Sequence, residues 1–171
     1  MRRFSKLLVL CLLFLSGCDS KIDTSAKDVK LDRDVCERCK MVISDKDYNA
    51  QVVNPKDGKR YFFDDIGCAL LWIDEQKIEW ASVAAIYVAD ADTTKWIDAK
   101  AAFYTDGANS PIRFGFAAHA KAPEGEHRSF SQVVKSVLEI KEERMKARMA
   151  GTSDTMQGHM HDDQSMPHHH H

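Results

Sequence analysis

Cys36, Cys39 and Met41 fall within six residues of one another in the run DVCERCKM, residues 34–41. Two thiols and a thioether at that spacing admit four chemistries. A closed structural zinc site takes four Cys, His or carboxylate ligands, and no second pair at ligand spacing follows; Cys68, His119 and His127 are scattered. A redox-active Cys-x-x-Cys sits at a helix N-terminus, where the dipole lowers the thiol pKa. Here the pair follows a polar leader, and MVISDKDY after it has no helical period. A plain Cys36–Cys39 disulfide leaves Cys68 odd in an oxidising compartment. Thiolate plus thioether is the soft set that selects Cu(I), an ion satisfied by two or three ligands. A soft-metal site at Cys36, Cys39 and Met41 uses every feature of the run, and its place beside a tether suits a carrier.

Other candidate ligands are weaker. Cys68, in DIGCALLW, has apolar neighbours, and free Cys behaves as a small buried hydrophobe; burial is expected ahead of ligation. His119 and His127 carry no motif, and surface or structural roles are expected for them ahead of ligation. At the C-terminus, Met156, His159, Met160 and His161 lie in a polar Met/His-rich tract. Imidazole and thioether groups there form a possible auxiliary copper site, although four terminal histidines alone have the form of an affinity tag.

The elements that position these residues follow from period and turn chemistry. NAQVVN and KRYFF flank PKDG, a tight-turn sequence, and predict a β-hairpin. Ile66, Ala69, Leu70 and Ile73 recur at helical spacing, with Asp64 or Asp65 near the N-cap. AAIYVAD is apolar on both faces and predicts an interior strand. AAFYTDG and PIRFGFAAH bracket ANS as a second hairpin, and residues 126–149 read as a helix with Val133, Val134, Val137, Leu138 and Ile140 as its stripe. The fold class is α+β: two small strand-strand-helix-strand-like lobes in one compact domain with disordered ends.

The N-terminus reads as an export signal. Met-Arg-Arg and a short apolar run ending Leu15-Ser16-Gly17-Cys18 are too short to span a bilayer and are similar to a bacterial lipoprotein signal with Cys18 as the lipidated residue. The expected organisation is a signal at 1–17, a flexible tether at 18–34, a metal-binding domain at 35–148 and a disordered tail at 149–171. Of the 24 basic and 26 acidic residues, Arg2, Arg3 and Lys6 leave with the signal. The remaining 21 basic against 26 acidic residues give a net charge near −5, which argues against nucleic-acid binding through bulk charge.

Taken jointly, the lipoprotein signal, the polar tether, Cys36-x-x-Cys39-x-Met41, AQVV, KRYFFDDIGCALLW and AAIYVAD resemble the NosL family of copper-binding lipoproteins over roughly residues 35–130. The resemblance implies a non-enzymatic Cu(I) metallochaperone on the periplasmic face of the inner membrane. Cys36, Cys39 and Met41 would be its copper motif, and apo nitrous oxide reductase or its membrane assembly machinery the recipient, in denitrification. The family pattern has Gly where this chain has Lys40, and often Pro-Met where it has Pro111-Ile112. If that methionine holds metal elsewhere, another ligand or a lower coordination replaces it here. The alternative from a different class is a thiol–disulfide oxidoreductase that keeps a partner's copper-site cysteines reduced.

Overall fold

In the computed structural model, which describes residues 21–158 (side chains to residue 150), the tight turn at 55–58 closes the first hairpin. Asn54 and Lys59 pair across it, and Gly58 takes a φ of 72° that costs glycine no Cβ clash. Strands β1 (Ala50–Val53) and β2 (Arg60–Phe63) pair antiparallel, with Ala50 opposite Phe63. Strand β3 (Ala85–Ala89) pairs with the other side of β1, and β4 (Trp96–Asp98) closes a four-stranded antiparallel sheet of order β2-β1-β3-β4. The interior place of β3 agrees with its two apolar faces. Strand β4 has no alternation in sequence and was not expected.

Helix α1 (Ile66–Glu75) covers one face of this sheet. The Asp65 side chain accepts the Cys68 N–H at 3.0 Å and satisfies one of the orphan donors of the first turn. The helix buries Ile66, Cys68, Ala69, Leu70, Leu71 and Trp72, and Trp72 packs on Tyr61 and Phe63 at ring distances of 4.5 and 5.5 Å.

The opposite face is covered by the segment expected to be a flexible tether, which is docked from Asp23 onward. Buried Gln51 exchanges two hydrogen bonds of 3.0 Å with the Lys27 backbone. The Tyr87 hydroxyl donates to the Thr24 carbonyl, and the Arg60 guanidinium to the carbonyls of Asp23 and Ser25. A buried amide needs partners of this kind; they explain why β1 is buried on both faces although Gln51 is polar.

The second lobe has strands β5 (Phe103–Thr105) and β6 (Ala117–His119), antiparallel, and helix α2 (Phe130–Gly158). A parallel bridge between Asp90 and Ala118 joins the two sheets. The expected turn at ANS is instead a loop across residues 106–116. Gly107 and Gly115 take positive φ, while Ser110 and Phe114 turn inward and are buried. Ser129 and Gln132 cap α2 reciprocally: the Ser129 N–H donates to Gln132 Oε1 at 2.7 Å, and the Gln132 N–H to Ser129 Oγ at 3.4 Å. Val133 and Val137 are fully buried, and Lys141 binds Asp74 of α1 at 2.7 Å. The helix starts at Phe130 rather than 126, and its backbone continues past 149 to Gly158.

Candidate metal centre

Residues 35–42 form a tight loop whose hydrogen bonds bring both cysteines back toward the body of the protein. Val35 and Val42 bridge its ends, the Cys36 N–H donates to the Met41 carbonyl at 2.8 Å, and the Lys40 N–H donates to the Cys36 carbonyl at 3.0 Å. Closing so short a loop takes a left-handed residue, and Lys40 supplies it with φ of 62°. Lysine here adopts a conformation that glycine reaches without strain. The loop is anchored outward by the Glu37 N–H, which donates to the Phe62 carbonyl of β2 at 2.8 Å.

The loop lands on the first turn of α1. The sulfurs of Cys36, Cys39 and Cys68 all lie within 4.8 Å of one another, and none is in a disulfide. Cys36 and Cys68 are fully buried, whereas Cys39 is half-buried and forms the open side. Cys68 is therefore buried, as its apolar neighbours predict, and also joins the cysteine pair. Met41 is 54% exposed beside the cluster, and its backbone N–H points at the Cys39 sulfur.

The three thiols are electrostatically unequal. The Cys68 thiol donates to Cys36, and with the N–H groups of Cys39 and Asp64 it outweighs burial and lowers Cys36 to about 5. Donating to Cys36 pushes Cys68 up, as does burial. Burial pushes Cys39 up to about 12, and its thiol donates to Asp64 Oδ2 at 3.1 Å. Burial also raises Asp64, against the opposing pull of Cys39. The hydrogen bonds from the Cys68 thiol and the two backbone N–H groups thus favour the thiolate at Cys36 over the other two sulfurs. Arg38, held by Glu75 in a fork of 3.0 and 2.9 Å, lies along the flank of the cluster and interacts with the Cys68 sulfur.

The sequence model of the NosL family matches residues 28–138, about two thirds of the chain. The chain belongs to the NosL family. Among solved structures it is similar to the crystal structure of the copper chaperone NosL from Shewanella denitrificans, at 13% identity and a TM-score of 0.47, over 64% of this chain and 95% of that chain. No curated protein sequence matches. The NosL match contains Cys36, Cys39, Met41 and Cys68, and it begins inside the docked segment that precedes the cysteines.

A second group with ligand-like spacing, Asp90, Asp92 and His119, lies where the two sheets meet. Its polar atoms are already engaged. Asp90 accepts from the Thr93 hydroxyl at 2.6 Å, and the His119 ring lies between Asp92 at 3.0 Å and the Thr105 hydroxyl at 3.1 Å. His127 packs edge-on against Phe103. Cys18, His159, Met160 and His161 lie outside the described residues, and of Met156 only the helical backbone is described.

Proposed function

We propose that this NosL-family protein is a Cu(I) chaperone whose cargo is held by Cys36, Cys39 and Cys68, with Met41 at the mouth. The observation that carries the reading is the convergence of three sulfurs within 4.8 Å of one another, two of them buried and the third at the open side. Three thiols suit Cu(I), which completes its shell with two or three soft ligands, better than zinc, which asks for a fourth. Among the described residues no histidine belongs to the cluster. The half-exposed Cys39 and exposed Met41 give the ion one side from which to enter and leave.

A carrier of this design makes and breaks no substrate bond; the protein is not an enzyme. Thiol–disulfide exchange fits less well, because Cys36, the sulfur at which the thiolate is favoured, is fully buried, while burial pushes the more accessible Cys39 toward the thiol form. Lipidation at Cys18, anchoring on the periplasmic face of the inner membrane and delivery to apo nitrous oxide reductase or its assembly machinery complete the proposal. These rest on the signal sequence and on family membership. The experiment is competition of the reduced protein against a Cu(I) chelator and, separately, a Zn(II) chelator. Capture of Cu(I) with little capture of Zn(II) supports the reading, and equal capture of both overturns it.

A further inference from the structure

Arg38 lies between Cys36 and Cys39 in the chain, and its guanidinium turns back along α1. Its Nε and Nη2 donate to Glu75 Oε2 and Oε1 at 3.0 and 2.9 Å, a bidentate fork that fixes the plane of the group. Cys68, Leu71 and Glu75 follow at three- and four-residue steps, which puts them on one side of the helix. A guanidinium pinned at Glu75 and attached beside Cys39 therefore spans the side of α1 that carries Cys68, and it interacts with that sulfur. The side chains of the pair are only 25 and 32% exposed, so water screens the charge in part.

The other groups that touch the sulfurs are acidic. Asp64 accepts the Cys39 thiol at 3.1 Å, and Asp65 accepts the Cys68 N–H at 3.0 Å. Lys40, the other cation of the loop, pairs with Glu37 at 3.2 Å on the exposed side. Cu(I) on three thiolates leaves two negative charges, whereas Zn(II) on the same three leaves one. The two loaded states differ by one unit charge whatever the protonation of the empty site. A fixed cation at the flank therefore favours the monovalent ion by the interaction of one unit charge. Arginine suits this role because its guanidinium is not deprotonated in proteins. Behind it, Lys141, Arg144 and Arg148 line the same groove against the single carboxylate of Glu75, so the field on this flank is positive.

We propose that Arg38 determines the metal selectivity of the cysteine cluster: held at the flank by Glu75, its guanidinium offsets the extra negative charge that a monovalent ion leaves on three thiolates. The proposal rests on the chaperone reading for the three sulfurs and adds the cation that favours Cu(I) over Zn(II). The test is the ratio of Cu(I) to Zn(II) affinity, each read by chelator competition on the full-length reduced protein and on Arg38→Gln, Arg38→Lys and Glu75→Gln. A loss of stability common to both metals cancels in that ratio. Arg38→Gln is expected to lower it about tenfold, the size of a well-screened interaction of one unit charge. Arg38→Lys keeps the charge without the fork and should retain most of the ratio. Glu75→Gln leaves an oxygen to accept from Arg38 but removes the opposing charge, and should raise the ratio. A guanidinium that merely pins the loop would weaken both metals alike and make all three variants equally damaging. That outcome overturns the proposal, as does a ratio unchanged in Arg38→Gln or lowered in Glu75→Gln. Failure of the chaperone reading shows in the wild type itself, as equal capture of the two ions, and removes this proposal with it; failure of the proposal alone shows only in the variants.

Discussion

The Ser110 hydroxyl donates to Asp65 Oδ2 at 3.0 Å, joining the loop of the second lobe to the residue that caps the cysteine-bearing helix of the first. Asp65 Oδ1 meanwhile accepts the Cys68 N–H, and Ser110 Oγ accepts the Gly115 N–H at 3.1 Å. One buried hydroxyl thus sets the carboxylate that sets the start of α1. Ser110→Ala should leave a buried carboxylate oxygen and a backbone N–H without partners, costing about 1–3 kcal/mol. Urea unfolding of the reduced protein would show this as a lower midpoint with unchanged slope. An unchanged midpoint would mean that water replaces the hydroxyl at no cost.

Gly67 is required by packing. A Cβ there would overlap the Phe114 ring, and the ring is itself covered by the Arg144 guanidinium at 4.5 Å. Gly67→Ala should cost about 1–3 kcal/mol through overpacking. The loss is expected to shrink when Phe114→Leu is added, a non-additivity that a double-mutant cycle reads directly.

Lys40 carries the opposite expectation. Its φ of 62° is a conformation that costs an L-residue roughly 1–2 kcal/mol, partly offset by the greater entropy that glycine loses on folding. Lys40→Gly should therefore raise stability by about 0.5–1 kcal/mol, measured in the same urea series, without moving Cu(I) affinity. A loss of stability would show that its 3.2 Å contact with Glu37 outweighs the backbone strain.

For the metal itself, Cys36→Ser, Cys39→Ser and Cys68→Ser should each weaken Cu(I) binding by more than about tenfold, roughly 1.4 kcal/mol, since each removes an anionic ligand. Met41→Ala should cost less in affinity, a thioether being neutral, and more in the rate of release. Chelator competition and stopped-flow transfer measure the two. If Cys68→Ser binds as wild type does, that sulfur is only buried.

Loading should also release protons, because thiols must ionise to bind. Between about 5, where Cys36 ionises, and about 12, the raised value of Cys39, the free cluster keeps two of its three protons. One ion bound by three thiolates at neutral pH is then expected to expel two protons. Affinity falls as pH falls, and falls more steeply below 5, where Cys36 too must be deprotonated. Proton release measured by indicator dye in weak buffer tests the count; no release would mean that the thiols bind protonated or not at all.

Much of this was legible in the residues. PKDG, a cap at Asp64 or Asp65 and the doubly apolar AAIYVAD placed three strands of the first sheet and its helix, because those signals are local. The Cys36–Cys39 pair was legible for the same reason. Cys68 was seen as buried but not as the third member of the cluster, since its approach depends on how the 35–42 loop folds onto α1. Strand β4, three residues long, exists through its pairing with β3 rather than through any alternation of its own. The docked segment before the cysteines escaped notice because many of its contacts are made by backbone carbonyls and N–H groups, which composition does not reveal, and its apolar anchors are Val29 and Leu31 within a charged run.

The bond from Glu37 to Phe62 has a consequence for solubility. Strand β2 is outermost in its sheet, and an outer strand with free carbonyl and N–H groups is a template on which another chain can pair. The cysteine loop meets that strand through this bond and occupies the Phe62 carbonyl. Any event that pulls the loop away, such as oxidation of the thiols into a geometry the loop cannot follow, uncovers that carbonyl. Empty, oxidised protein is therefore expected to aggregate by edge-to-edge pairing while loaded protein stays dispersed, so that cargo acts as the protein's own protection against fibrils.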